Sequence, residues 1–341
     1  MSLCSEAPGR VDTELALIIF LVGVALLFDF LNGMHDAANS IATVVSTRVL
    51  TPLQAVAWAA FFNFVAAFFF GVNVAHTIGT GIIHTDIVNE HVIFSALVGA
   101  IVWNALTIYL GLPISSSHAL VGGLVGAGLA YGGPDTLIFG GIRKVAIFMG
   151  LAPLIGFSVA APLMVGVLWL IRRMSPRKVG RVFGRLQLVS AAAFSLGHGT
   201  NDAQKTMGII SVLLFSTGHL GDTFYVPIWV ILAAHASIAT GTLMGGWRIV
   251  KTLGMRVTEL QPHGGFCAET AAAMTLFATA HAGIPASTTH TITGAIIGVG
   301  STRRLSAVRW GVAGDIVTAW ILTIPGAALV SFLTFYATKL F

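Results

Sequence analysis

Charge is what this sequence has least of. Asp, Glu, Lys and Arg make up 9% of its 341 residues, against 56% apolar residues, and the mean hydropathy is +0.89. A soluble domain carries roughly 25% charged residues because its water-facing surface needs them. That class is excluded, and the solvent of this chain is lipid. Cysteine is nearly absent: Cys4 and Cys267 are the only two, which excludes a disulfide framework and a metal-thiolate site. Outside one run (Arg172, Arg173, Arg177, Lys178, Arg181, Arg185) basic residues are scattered, so the net charge of +5 reports membrane sidedness and not a nucleic-acid partner. The amino end, with Glu6, Arg10, Asp12 and Glu14 before an apolar run, lacks a basic n-region and a small-residue cleavage site. It is expected to be a retained first span.

What the chain has is long apolar segments, approximately 15–32, 53–75, 92–111, 117–131, 145–171, 188–217 (interrupted), 226–246, 268–301 (interrupted) and 311–338. At about 20 residues per crossing they predict an all-α, multi-pass integral membrane protein with about 10–12 membrane segments. One polar stretch within them occurs twice, as Gly33-Met34-His35-Asp36-Ala37-Ala38-Asn39-Ser40 and as Gly199-Thr200-Asn201-Asp202-Ala203-Gln204-Lys205-Thr206. A second pair follows in the same order: Pro113-Ile114-Ser115-Ser116-Ser117-His118 matches Pro285-Ala286-Ser287-Thr288-Thr289-His290. Nearly the same shift superposes both pairs, and it also lays Gly122 on Gly294, Gly126 on Gly298 and Pro153 on Pro325. The chain therefore reads as two repeats, 1–180 and 181–341. Polar interruptions at matching places in two halves are the best sequence pointer to a transporter's binding site, and they predict discontinuous or re-entrant helices.

Charge predicts how the halves are oriented, because Lys and Arg mark the cytoplasmic side. If the repeats are inverted and the basic junction lies inside, the loops with Arg48, with Arg248, Lys251 and Arg256, and with Arg303, Arg304 and Arg309 also lie inside. Their counterparts outside carry Asp86, Glu90, Asp135 and Asp222. Of the 18 Lys and Arg, only Arg10, Arg143, Lys144 and Lys339 then fall outside, with Lys205 in the membrane. Inverted topology with both termini outside is the expectation.

A few ionisable groups remain at membrane depth: Asp29, Asp36, Asp202, Lys205, Glu269 and Asp315. Each costs roughly 2.5–3.5 kcal/mol at a helix centre, so they must be paired, hydrated or turned to a cavity. Asp36 and Asn39 share a helix face, as do Asp202 and Lys205. The second pair reads either as a structural ion pair or, with Asp36, Asn39 and Thr206, as part of a cation site of carboxylate, amide and hydroxyl oxygens, which suit hard cations. The two Pro-x-Ser blocks read as helix starts, with Pro in the first turn and Ser or Thr as cap. Free N–H groups and the positive dipole end there hold anions. Ser115, Ser116, Ser117, Ser287, Thr288 and Thr289, with Asn201 and Lys205, are the candidate oxyanion ligands; ordinary capping is the alternative. His118 and His290, one step behind, read equally as structural residues or proton carriers. Ser117-His118 is no hydrolase signature, since adjacent residues do not face each other on a helix and no nucleophile elbow frames them. An enzyme is not expected.

At these residues the chain resembles the PiT-type inorganic phosphate transporters. Phe28-Asp29-Phe30-Leu31-Asn32-Gly33-Met34-His35-Asp36-Ala37-Ala38-Asn39-Ser40 is similar to that family's first motif, and Gly199 to Gly208 to its second. Met34 and Gln204 depart from the usual residues, and the large central loop of animal members is missing. The resemblance covers both halves. It implies alternating-access symport of inorganic phosphate with Na+ or H+ across the plasma (inner) membrane by a homodimer, with no cofactor other than Na+ as coupling ion. It places Asp36, Asn39, Asn201, Asp202 and the Ser/Thr blocks around substrate and cations, and matches Glu269 to an acidic position linked to transport. Some relatives carry sulfate, and some bacterial ones a neutral metal–phosphate complex. Bringing a dianion inward against 100 mV costs about 4.6 kcal/mol, so uptake needs at least two accompanying cations. A passive anion channel is the remaining alternative, distinguished by a flux that ignores both gradients.

Overall fold

The helices Glu90–Leu110 and Pro262–His281 are stopped by the same device. A glycine in the left-handed region ends each, Gly111 at φ 71° and Gly283 at φ 63°, where only glycine sits without steric cost. Pro113 and Pro285 then bar re-entry into a helix, and Ser115 and Ser287 restart it as N-caps. The result is two helical hairpins whose turns dip into the protein and meet, with His118 and His290 ring centroids 4.8 Å apart.

The structure is a computed structural model that describes residues 8–69, 71–84 and 87–340, with side chains from residue 13. Cys4, Glu6 and Asp86 lie outside the described residues, as do the side chains of Arg10 and Asp12. Twelve α-helices make up the described chain: α1 Pro8–Ser46, α2 Pro52–Val65, α3 Asn73–Gly81, α4 Glu90–Leu110, α5 Ser116–Gly132, α6 Phe139–Ile171, α7 Pro176–Ser216, α8 Ile228–Met244, α9 Trp247–Lys251, α10 Pro262–His281, α11 Thr288–Ser301 and α12 Trp310–Thr338. The all-α expectation is borne out, with no strand among the described residues beyond one isolated bridge, Ile83 to Leu137.

Four of these helices (Thr13–Ser46 of α1, α4, α6 and α12) are long and apolar enough to cross a membrane alone. Two bent pairs add to them: Pro52–Phe68 with Asn73–Gly81 at 84°, and Ile228–Met244 with Trp247–Arg256 at 63°. The count is thus four to six by length and composition, below the ten to twelve segments expected. The difference has a physical cause. Helices α5 and α11 have 17 and 14 residues, too short for about 30 Å of hydrocarbon. Polar residues dilute α7 and α10.

The duplicated Asp motifs interrupt the apolar pattern but not the helix. Helix α1 runs unbroken through Asp36 and α7 unbroken through Asp202, because their polar side chains find partners on neighbouring helices while the backbone bonds stay intact. Close approach makes this possible: a Cβ on Gly33 would lie 2.1 Å from the Ile238 carbonyl oxygen, and one on Gly241 2.0 Å from that of Phe30. Glycine seats α1 directly on α8 at the motif.

Apolar packing forms two cores, one at each end. The first joins Ile18 and Leu21 near the start of α1 to Leu213 and Leu214 near the end of α7, with Leu124 of α5 and Phe335 of α12. The second joins Val44 at the end of α1 to Phe183 at the start of α7, with Ile296 of α11 and Val167 of α6. Helices α1 and α7 therefore run in opposite directions. The packing partners exchange accordingly: α5 lies on α4 and α12, while α11 lies on α10 and α6. Leu17, Glu90 and Thr338 share one end of the molecule; Arg48 and Glu259 share the other. The basic run, expected at the junction between the halves, is exposed: Arg172 and Arg173 lie in a short turn at 172–175 and the other four residues on the first turns of α7.

Candidate functional site

Asp36 and Asp202, one from each long helix, are buried at 1% and 0% exposure, and one hydroxyl bridges them. Thr288 Oγ1 lies 3.3 Å from Asp36 Oδ2 and 3.1 Å from Asp202 Oδ2. Asp36 also accepts from Ser116 Oγ at 3.3 Å, from Thr289 Oγ1 at 3.3 Å and from His35 Nδ1 at 2.8 Å. Lys205 donates to Asp202 and to Ser117. His198 Nε2 stands 3.2 Å from Asp202 and 3.8 Å from Asp36, so Asp36, His198 and Asp202 converge tightly enough to hold a cation.

Two of the bonds that cross between the halves form a matched pair. Asn39 of α1 donates to Thr289 of α11 at 2.9 Å, and Lys205 of α7 donates to Ser117 of α5. The repeat superposes Asn39 on Lys205 and Ser117 on Thr289, so the same bond is made twice with the halves exchanged. Above these side chains lie the amino ends of α5 and α11, whose first N–H groups lack intrahelical partners. The cage thus combines two carboxylates, one ammonium, four inward hydroxyls and two positive dipole ends, a composition suited to a tetrahedral oxyanion held together with cations.

The first member of each hydroxyl block is excluded from it. Ser115 Oγ accepts the His118 N–H at 3.4 Å and Ser287 Oγ that of His290 at 3.2 Å. Both are caps, the ordinary role. Asn201 turns away too, toward Thr279 Oγ1 of α10 at 3.4 Å. Gln204, unusual at its position, accepts the Val74 N–H at 2.8 Å and donates to the Gly71 carbonyl at 2.7 Å, clamping the start of α3. Beside it lies a cavity of about 270 Å³, lined by Thr200, Gln204, Asn73 and His281 among others.

The sequence pattern of the phosphate transporter family matches residues 32–180 and 171–331. The chain belongs to the phosphate transporter family. It is 60% identical over 331 residues to a probable low-affinity inorganic phosphate transporter of Rhizobium meliloti (strain 1021), covering 96% of this chain and 99% of that protein. A protein of the same description from Bacillus subtilis (strain 168) is 39% identical, with 95% and 98% covered. Among solved structures, one described as the sodium-dependent phosphate transporter superposes with a TM-score of 0.87 at 25% identity, covering 95% of this chain and 99% of that one. The chain is a membrane transporter of that family and not an enzyme.

In this transporter Glu269 does not join the cage. It accepts from Thr43 at 2.5 Å, from Gln187 Nε2 at 3.1 Å and from Ser190, a separate buried network tying α1, α7 and α10 toward the basic end. Thr206 is also apart; it faces Asp29. Asp315 is exposed on α12. His290 is held by the Met149 carbonyl at 3.1 Å and stacks on Trp320 at 3.7 Å, a packed core histidine. The residue that sequence reasoning missed is His198. Its signal was available: it stands four before Asp202 as Asn32 stands four before Asp36, on the same helix face.

Proposed function

We propose that this protein takes up inorganic phosphate in symport with cations, by alternating access of two inverted repeats, 1–180 and 181–341, across the plasma membrane. The observation that carries the reading is the bridged pair of carboxylates, Asp36 and Asp202, contributed by oppositely directed helices beneath two helix amino ends. Both halves are needed to complete the cage, which is what a site between repeats requires. Carboxylate acceptors beside the anion favour phosphate over sulfate, because at neutral pH phosphate still has a proton to donate and sulfate has none. The opposite run of α1 and α7, and the gathering of both termini at the end away from Arg48, support inverted repeats with both termini outside. By resemblance the transporter assembles as a homodimer.

Roles divide within the cage. Ser116, Thr288 and Thr289, once released from the carboxylates, and Ser117, which accepts from Lys205, donate to the anion, and Lys205 offsets its charge. Asp36, Asp202 and Asn39 face the cations, whose entry with phosphate offsets the membrane potential. Asp36→Asn and Asp202→Asn are each expected to abolish concentrative phosphate uptake by proteoliposomes while reaching the membrane in normal amounts. Full uptake by both variants refutes these roles. Parallel assays with sulfate, under separate Na+ and H+ gradients, test the substrate and the coupling.

A further inference from the structure

One buried carboxylate takes no part in the cage. Asp29 lies seven residues before Asp36, two turns along α1 on the same face, toward the end that carries both termini. It is fully buried, and neither of its oxygens completes a hydrogen bond. The side chains that face it are Thr206 of α7 and Asn32 of its own helix, with Asp202 and His198 supplying the nearest charges. Thr206 Oγ1 and Asn32 Nδ2 are themselves buried and without partners. Three unpaired polar groups from two helices thus converge on one point.

The contrast with the other carboxylates is informative. Glu269, equally buried, is saturated by Thr43, Gln187 and Ser190. Asp36 and Asp202 are served by hydroxyls, two histidines and Lys205. The Lys205 ammonium binds Asp202 and Ser117, and among the described residues no salt bridge joins it to Asp29. A buried carboxylate faced only by an uncharged hydroxyl and an amide is costly unless something neutralises it, and an ionisable group inside a membrane span marks a functional site by default.

We propose that Asp29, with the Thr206 hydroxyl, binds one monovalent coupling cation, H+ or Na+, at a position separate from the phosphate cage. The inference rests on the coupled-symport reading given above. The groups present fit a proton as they stand. Sodium would need water or backbone oxygens to fill its shell, since the free end of Asn32 is a donor. Two turns from Asp36, the site is close enough to sense the cage electrostatically without touching the substrate.

The test is the number of cations carried per phosphate, read from reversal potentials of proteoliposomes under a fixed phosphate gradient, with Na+ and H+ gradients imposed in separate arms. The flux that remains in Asp29→Asn is expected to carry one cation fewer per phosphate. A drop in the H+ arm assigns a proton to the site, and a drop in the Na+ arm assigns sodium. Asp29→Glu is expected to restore the wild-type ratio. An unchanged ratio in both arms for Asp29→Asn overturns the proposal. Wild-type flux indifferent to both gradients would instead remove the symport reading itself. Should Asp29→Asn fail to fold, Thr206→Val decides: an apparent cation affinity about tenfold weaker is expected, and an unaltered affinity overturns the proposal.

Discussion

Lys205 carries its charge in the buried interior of the molecule. It is an ammonium at 0% exposure, three residues from the carboxylate it neutralises, and it also holds a hydroxyl of the opposite half. Breaking a buried ion pair from one side costs about 3–5 kcal/mol, because the remaining charge is left bare. Lys205→Met is therefore expected to lower the melting temperature in detergent sharply. Asp202→Asn combined with Lys205→Met should recover much of that stability, since no lone charge remains, yet still fail to concentrate phosphate. Recovery of both properties would make the pair purely architectural. Asp36, Asp202 and the hydroxyl blocks were legible as polar groups repeated where lipid penalises them. The division of labour within each block was not. Nothing in three consecutive hydroxyl residues says that Ser115 caps its helix while Ser116 and Ser117 turn inward; that depends on the Asp36 and Lys205 side chains they meet on α1 and α7.

Among the helices, the breaks at Gly111-Pro113 and Gly283-Pro285 followed from residue chemistry alone, because a left-handed glycine followed by proline stops a helix in any context. The continuity of α1 and α7 did not, since it depends on partners the local sequence does not display. Glycine contact is what keeps those partners near. Gly33→Val would drive side-chain atoms into the Ile238 backbone, where even a Cβ has 2.1 Å. Backbone cannot yield as a flexible side chain does, and overpacking of this kind costs about 1–3 kcal/mol or more. The expected outcome is loss of folded protein in detergent, measured by size-exclusion chromatography. Gly23→Val, on the same helix with open space around it, should be neutral and serves as the control.

For the molecule as a whole, the sidedness inferred from charge is open to direct test. Asp135, in the loop between α5 and α6, and Ala307, its repeat counterpart between α11 and α12, should face opposite sides of the membrane. In a background with Cys4 and Cys267 replaced, Asp135→Cys is expected to react with an impermeant maleimide added to intact spheroplasts, and Ala307→Cys only after lysis. Labelling of both from one side would mean parallel repeats. The crossed bonds carry a last implication. Were the two halves chemically identical, swapping their conformations would cost nothing, and the carrier would rest equally often open to either compartment. They are not identical, since an amide stands at Asn39 where its twin is the ammonium of Lys205. Such differences lift the degeneracy, so the empty protein is expected to have a preferred resting side before any gradient acts on it.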